Sequence, residues 1–291
     1  MRLLEVIRRS ASYLEERGVE SPRLQVEWIL SHTLRRPRLQ LYLEFDRALD
    51  EAQLDSVREA VRRRGLREPL QHVLGTAAFA GLELEVSPAA LIPRPETELL
   101  AERAWTWLQD RAASGIPSSD VLDWGTGTGC LAFAISRHAP GARIVAVDQS
   151  PEALALARRN AARLPESDRI TFHHGDGCRE LPSHLDFDLV VSNPPYIPTA
   201  ELDSLQPEVR DHDPRTALDG GPDGLDYYRR LAMELPCRLR SGGALLLEFG
   251  DGQGPAVTAI LEAHDWTVAE CHRDHSGRER FLLATRLPAG R

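Results

Sequence analysis

From Leu3 to Glu16 the apolar residues fall at Leu3, Leu4, Ile7, Ala11 and Leu14, close to the i, i+3, i+4, i+7 stripe of a half-buried helix. Gly18 stops it. Ser21-Pro22 then reads as an N-cap followed by proline at the first helical position, opening a second helix through Leu24, Trp28, Ile29 and Leu34. A third helix, from about Glu51 to Arg64, carries Leu54, Val57 and Val61 on one face. Residues 1–74 therefore read as a small all-α bundle without a catalytic motif of its own. Between Gly75 and Pro95 the pattern changes to short β-prone pieces around Phe79, Leu82, Leu84 and Val86, closed by the rigid Ile92-Pro93-Arg94-Pro95. That is the pattern of a β-hairpin linker over 75–95.

A helix begins near Glu96, and beyond it apolar runs alternate with helical stretches in the βαβ manner. The strands expected are Val121–Trp124, Arg143–Val147, Ile170–His173, Phe187–Ser192, Ala244–Phe249, Thr267–Cys271 and Phe281–Thr285. Helices fit between them at Leu131–His138, Pro151–Leu164 and Leu225–Leu239. Residues 96–291 thus predict an α/β domain with a Rossmann-like, seven-stranded doubly wound sheet. Such sheets bind ligands beyond the carboxyl ends of their strands.

The length of 291 residues is ample for two domains, and 42% apolar with 27% charged residues speaks against extended disorder. Thirty-five basic against 44 acidic residues leave a net charge of −9, a poor match to nucleic-acid phosphates. No direct nucleic-acid partner is expected. All the basic residues are arginine, which removes lysine as a base or Schiff-base former. Cys130, Cys178, Cys237 and Cys271 lie far apart and form no C-x-x-C pair, so a disulfide framework or zinc knuckle is not suggested and a reducing, cytoplasmic setting fits. No run approaches the ~18–20 apolar residues of a membrane span. The helical, acid-bearing start argues against a signal or transit peptide, and a monomer is the expected state.

Asp123-Trp124-Gly125-Thr126-Gly127-Thr128-Gly129 follows one strand and precedes a helix. Glycines there let the backbone turn tightly and approach a ligand that side chains would block. The spacing is G-x-G-x-G, not the G-x-G-x-x-G of a nicotinamide fingerprint, and no G-K-[ST] marks a P-loop. Asp148 ends the next strand, where a carboxylate can accept both hydroxyls of a ribose; the alternative is an N-cap for the helix at Pro151, a position Ser150 fills better. Asp176, in Gly175-Asp176-Gly177 after the third strand, can face the adenine side of such a ligand or simply serve a turn. Arg94, Glu96 and Glu98 either brace the site and meet substrate or cap and pair the helix that follows. His173, His174, His272 and His275 lack a third ligand set by spacing, so solvated or structural histidines are expected and no metal.

Asn193-Pro194-Pro195-Tyr196 follows the fourth strand. Proline fixes φ and has no N–H, so the loop is stiff and the Pro194 carbonyl has no strand partner. The Asn193 side-chain oxygen and that carbonyl can together accept the two hydrogens of a planar NH2 group, with Tyr196 as a wall for a flat substrate. Glycine loop, Asp148 and N-P-P-Y together resemble class I S-adenosylmethionine-dependent methyltransferases acting on amide or exocyclic nitrogens. Three flanking blocks narrow the likeness: Glu68-Pro69-Leu70-Gln71-His72-Val73-Leu74-Gly75, Leu91-Ile92-Pro93-Arg94-Pro95-Glu96-Thr97-Glu98, and the run from Asp213-Pro214-Arg215-Thr216 to Gly224-Leu225. Over essentially the whole chain the sequence resembles the release-factor glutamine methyltransferases, the HemK/PrmC family.

The resemblance implies methylation, by S-adenosyl-L-methionine, of the side-chain amide nitrogen (N5) of the glutamine in the Gly-Gly-Gln motif of class I peptide chain release factors. By the family pattern Gly125, Thr126, Gly127, Thr128, Gly129 and Asp148 hold the cofactor and Gly177 lines the adenine. Asn193, also beside the cofactor, holds the glutamine together with Pro194, Pro195 and Tyr196, and Asn193, Pro194 and Tyr196 serve the transfer. The helical bundle then recognises the substrate. Trp124 stands where the family commonly has a smaller aliphatic residue, and Gly177 where some members carry an aromatic, so residue 177 has no ring to stack on the adenine. The alternatives are a glutamine methyltransferase of a ribosomal protein, which shares the catalytic loop, and a DNA or rRNA N-methyltransferase, against which the charge counts.

Overall fold

The structure, a computed structural model, describes residues 1–286. The chain divides into two compact units, one of Met1–Thr76 with Leu205–His212, the other of Ala77–Ser204 with the chain from Asp213 onward.

The first unit holds α1 (Leu3–Glu15), α2 (Pro22–Leu34), α3 (Arg38–Leu41), α4 (Glu51–Gly65) and α5 (Leu70–Leu74). Leu3, Ile7 and Leu14 of α1 meet Val26, Ile29, Leu30 and Leu34 of α2 and Leu54, Val57 and Val61 of α4 in one core; Leu24 and Trp28, read along α2 with Ile29 and Leu34, are exposed instead. The start of α2 departs from expectation. Ser21 adopts a left-handed conformation (φ +47°) and makes no capping bond, because a capping side chain needs an extended N-cap backbone. A full capping box instead opens α4, where Gln53 N–H donates to Asp50 Oδ1 at 2.8 Å and Asp50 N–H to Gln53 Oε1 at 3.2 Å. Within this unit Glu208 accepts from Arg64 Nη2 at 2.7 Å and from Arg67 Nε and Nη2 at 2.7 and 2.6 Å.

The second unit begins with a hairpin of β1 (Thr76–Phe79) and β2 (Leu82–Glu85), turned by Ala80 and Gly81 at φ +46° and +75°, the left-handed pair a two-residue hairpin turn requires. There follow α6 (Pro95–Ala113), β3 (Ser119–Trp124), α7 (Cys130–His138), β4 (Ala142–Asp148), α8 (Pro151–Ala161), β5 (Ile170–His174), β6 (Phe187–Ser192), α9 (Pro207–Arg210), α10 (Asp226–Glu234), β7 (Leu239–Glu248), α11 (Gly254–Glu262), β8 (Trp266–Arg273) and β9 (Glu279–Arg286). Of these, α9 lies in the segment that belongs to the first unit. The seven sheet strands run β5-β4-β3-β6-β7-β9-β8. Pairings from β5 to β7 are parallel, and β9 runs antiparallel to both β7 and β8.

Because side chains alternate across a strand, neighbours such as Val121 and Leu122 serve opposite faces. Val121, Ala146 and Leu189 pack with Leu100 of α6 and Phe133 of α7; Leu122, Val147 and Val190 pack with Leu231 of α10 and Val257 of α11. Two expected helices stop early: α8 ends before Pro165, and α10 ends at Glu234, ahead of Pro236, because proline cannot continue the hydrogen-bond ladder. The strand order reverses between β4 and β6 around β3, and the crevice outside the carboxyl ends there is the place such sheets bind ligands. Among the described residues no helix is long and apolar enough to cross a membrane.

Candidate active site

The turn after β3 is shaped by three glycines at φ +79°, +55° and +86° (Gly125, Gly127 and Gly129), a region other residues enter only with strain. Gly125 and Thr126 N–H both donate to the Val147 carbonyl, at 2.9 and 3.0 Å, and Gly129 N–H to the Thr126 carbonyl at 2.8 Å. At Gly129 a Cβ would sit 2.4 Å from Phe133 Cε2, whereas at Gly125 it would meet nothing within 4 Å. Beneath the turn Asp123 is buried and accepts from Thr126 Oγ1 at 2.6 Å. Burial pushes its carboxyl up to about 7, against the bonds from Thr126 and Ala132.

Asp148, at the end of β4, accepts from Gly127 N–H through Oδ2 at 2.8 Å and from Ser150 N–H through Oδ1 at 2.9 Å. Burial raises its pKa, with these N–H bonds opposing. Each carboxylate oxygen offers more than one lone pair, so this anchoring leaves capacity for further donors. Ser150, not Asp148, caps α8 by accepting from Ala153 N–H at 3.1 Å.

After β5, Asp176 accepts from Arg230 Nη1 at 2.5 Å, and Arg230 also donates to the Asp176 carbonyl. The same guanidinium lies over the Trp124 ring, 5.5 Å from its centroid. Gly177 sits at φ +94°, and a Cβ there would come within 2.1 Å of Trp124 Cζ2. The two departures from the family pattern are thus one feature: the indole from the end of β3 fills the space that a side chain at 177 would need.

The cleft at these strand ends is lined by Gly125 to Thr128, Asp148, Asp176 and Asn193 to Pro195, the place where sheets of this topology bind their ligands. Gly129, Gly177 and Tyr196 of the expected set do not line it. Gly129 is the N-cap residue of α7, and Gly177 lies against Trp124. Tyr196 turns away; its carbonyl accepts from Gln253 Nε2 at 2.9 Å, its ring lies beside Gly250, and burial pushes its phenol up to about 12.

Of Arg94, Glu96 and Glu98, offered either for the site or for the helix that follows, Arg94 lines the cleft and the two glutamates do not. Patterning along the chain missed other contributors: the stretch from Ala89 to Pro93, with Thr97 on α6, forms one wall. Arg94 is braced by Asp213, Nη2 to Oδ2 at 2.6 Å, and Thr97 Oγ1 accepts from Asn193 Nδ2 at 3.1 Å. Asn160, buried on α8, accepts from Glu85 N–H at 2.7 Å and donates to the carbonyls of Glu85 and Thr128 at 3.1 Å each. The available signal was a lone amide in the apolar stripe of Ala153, Leu156 and Ala157.

A seven-stranded, doubly wound sheet with an antiparallel final pair, carrying a bare glycine turn, a strand-end carboxylate and N-P-P in one cleft, defines a methyltransferase. Residues 106–206 match the family model described as "Methyltransferase small domain" and residues 5–75 that described as "PrmC N-terminal domain". The fold is similar to that of the hMettl16 catalytic domain solved in complex with MAT2A 3'UTR hairpin 6 (TM-score 0.54, 16% identity, covering 80% of this chain and 83% of that one). It is similar also to a methyltransferase from Pyrococcus furiosus (TM-score 0.52, 18% identity, 70% and 88% covered). Among sequences, the chain is 45% identical over 270 residues to a release factor glutamine methyltransferase of Geobacter sulfurreducens, covering 93% of this chain and 92% of the relative. It is 40% identical over 288 residues to another of Chlorobaculum tepidum, with 96% of each covered. The chain belongs to the release factor glutamine methyltransferase family.

Proposed function

We propose that the protein methylates the side-chain amide nitrogen of the glutamine in the Gly-Gly-Gln motif of class I peptide chain release factors, in the cytoplasm, with the helical unit recognising the release factor. The observation that carries this is Asn193 in the cleft wall with its Nδ2 committed to Thr97 Oγ1. That leaves Oδ1, an acceptor, to face a substrate NH2.

The residues around the cleft fit S-adenosyl-L-methionine. An added Cβ at Gly125 would point into open space, so bare backbone borders the cleft there, and the half-buried Asp148 carboxylate retains acceptor capacity suited to ribose hydroxyls. Gly125 to Thr128 and Asp148 would hold it, with Asp176 toward the adenine side. When bound, S-adenosyl-L-methionine supplies an electrophilic methyl group on a sulfonium centre.

The protein's own work is orientation. An amide nitrogen is a weak nucleophile because its lone pair is delocalised into the carbonyl. Asn193 Oδ1 and the Pro194 carbonyl each accept one of its hydrogens, which turns the nitrogen toward the methyl donor at a reacting distance of ~3–3.5 Å. Those bonds strengthen as the nitrogen becomes positive, so they favour the transition state over the bound substrate. Pro194 and Pro195 fix the loop's φ angles, so the acceptors are placed before substrate arrives. Once the methyl has passed from sulfur to nitrogen, the positive nitrogen releases one of its two hydrogens as a proton to solvent water, so no amine base is needed and the chain, which has no lysine, supplies none.

The test is incubation of the purified protein with a release factor and isotopically labelled S-adenosyl-L-methionine, then mass spectrometry of the Gly-Gly-Gln peptide. One labelled methyl on that glutamine is expected; its absence overturns the proposal.

A further inference from the structure

We propose that Thr97 and Glu248 form a polar relay behind Asn193 that fixes which end of the Asn193 amide faces the substrate, making both of them positioning residues for methyl transfer. The inference rests on the reading of the site given above and extends it to residues outside N-P-P-Y.

Thr97, in the first turn of α6, is 2% exposed, and Glu248, at the end of β7, is 1% exposed. Asn193 Nδ2 lies 3.1 Å from Thr97 Oγ1; the Glu248 carboxyl is buried with Oε2 left without a donor among the described residues, and the Thr97 hydroxyl is the neighbouring donor that favours its charged form. A carboxylate only accepts, and a hydroxyl carries a single hydrogen. Thr97 therefore gives its hydrogen to Glu248 and has only lone pairs left for Asn193. Asn193 must answer with Nδ2, which turns Oδ1 into the cleft. With the polarity reversed, Asn193 would show its NH2 to the substrate's NH2, donor against donor.

Glu248 is held firmly enough to set this polarity. Its carbonyl accepts from the Tyr228 hydroxyl at 3.0 Å, and its backbone pairs with Phe281 of β9. Arg280 and Arg94 favour its charged form and Glu96 opposes it; Tyr196, Tyr228 and Cys130 also face it, each with its own ionisation pushed up by burial. Burial raises the Glu248 carboxyl to about 7. Below that pH the neutral carboxyl can itself donate to Thr97, and the relay loses its single direction.

Three variants test the relay: Thr97→Val, Thr97→Ser and Glu248→Gln. Steady-state methylation of a release factor is measured with each, alongside S-adenosyl-L-methionine affinity by calorimetry. Thr97→Val keeps the shape and removes the hydroxyl, and should lower kcat about 10- to 100-fold with cofactor affinity within about twofold of wild type. Thr97→Ser should restore most of the loss. The wild-type kcat should fall as pH drops through about 7, and Glu248→Gln should flatten that limb. A Thr97→Val kcat within about twofold of wild type, equal impairment of Val and Ser variants, or a loss that tracks cofactor affinity overturns the relay. If Thr97→Val does not fold, the pH profile of Glu248→Gln decides.

A readout without turnover separates the relay from the proposed function. The side-chain 15N–1H2 resonances of Asn193, assigned by their loss in Asn193→Asp, should titrate near pH 7 in wild type and stay still in Glu248→Gln. If no glutamine is methylated but these resonances behave as described, the proposed function fails and the relay stands; resonances that do not titrate overturn the relay.

Discussion

Asn193 and Asp148 line one cleft but are proposed to serve different partners, and substitution should separate them. Asn193→Ala removes an acceptor for the substrate amide, so kcat should fall about 10²-fold while cofactor affinity stays close to wild type; equal loss of both would sink the assignment. Asp148→Ala should act the other way, weakening S-adenosyl-L-methionine binding about 10- to 100-fold, as expected for lost charge-assisted hydrogen bonds. A titration with unchanged affinity refutes the ribose role. Both residues were legible in the sequence because each is a polar side chain directly at the end of an apolar run, and an alternating βα pattern tells which ends share a crevice. Thr97 and Glu248 were not legible, since each reads locally as part of a helix start or a strand end. Only folding brings α6, β6 and β7 together around Asn193. The Trp124–Gly177 exchange is similar: each looks like an isolated oddity along the chain, and their mutual exclusion exists only in three dimensions.

Elements with a clear period were the legible ones. Helices α1, α2 and α4, and all seven sheet strands, follow stripes or runs of apolar residues long enough to outvote local noise. The errors came at ends, where a proline stopped α8 and α10 before their apolar residues ran out, at Ser21, where the backbone rather than the residue type decided the cap, and at α11, which the reading left out between β7 and β8. Junctions between elements are the least legible, and Asn160 shows why: one side chain on α8 ties the end of β2 to the glycine turn through three hydrogen bonds. Asn160→Leu keeps about the same volume but leaves the Glu85 N–H and the Glu85 and Thr128 carbonyls without this partner. Stranded buried polar groups cost about 1–3 kcal/mol each, so a loss of about 3 kcal/mol in stability by urea titration is expected. Because Thr128 belongs to the turn, weaker cofactor binding should accompany it. A variant as stable as wild type would show that water or relaxation satisfies those groups.

At the scale of the whole molecule, unit membership does not follow chain order. After the N-P-P-Y turn the chain contributes Leu205–His212 to the helical unit before the second unit resumes at Asp213. The one-turn helix there, α9, is too short for any period to reveal, and Glu208 is an unremarkable acid in sequence. Folded, it is held by Arg64 and Arg67, and although burial opposes ionisation, their hydrogen bonds bring its carboxyl down to about 2. A carboxylate with a depressed folded pKa contributes stability that is present above its unfolded pKa, near 4.5, and lost as pH falls toward 2. Asp123 and Glu248 in the second unit have the opposite sign: each is raised to about 7, so its contribution is present below the unfolded carboxylate range and lost as pH rises through 7. Acid should therefore loosen the 205–212 segment of the helical unit through Glu208 while relieving two strained carboxyls elsewhere. Glu208→Gln isolates the first effect. At pH 7 the variant should exchange its 205–212 amide hydrogens roughly 10-fold faster than wild type, as a loss of about 1.4 kcal/mol in local stability requires. Between pH 5 and pH 3 the gap between the two proteins should narrow, closing only toward pH 2, once exchange is corrected for its intrinsic pH dependence. A gap that stays constant across that range would mean that Glu208 holds the segment by shape and hydrogen bonding alone, without its charge.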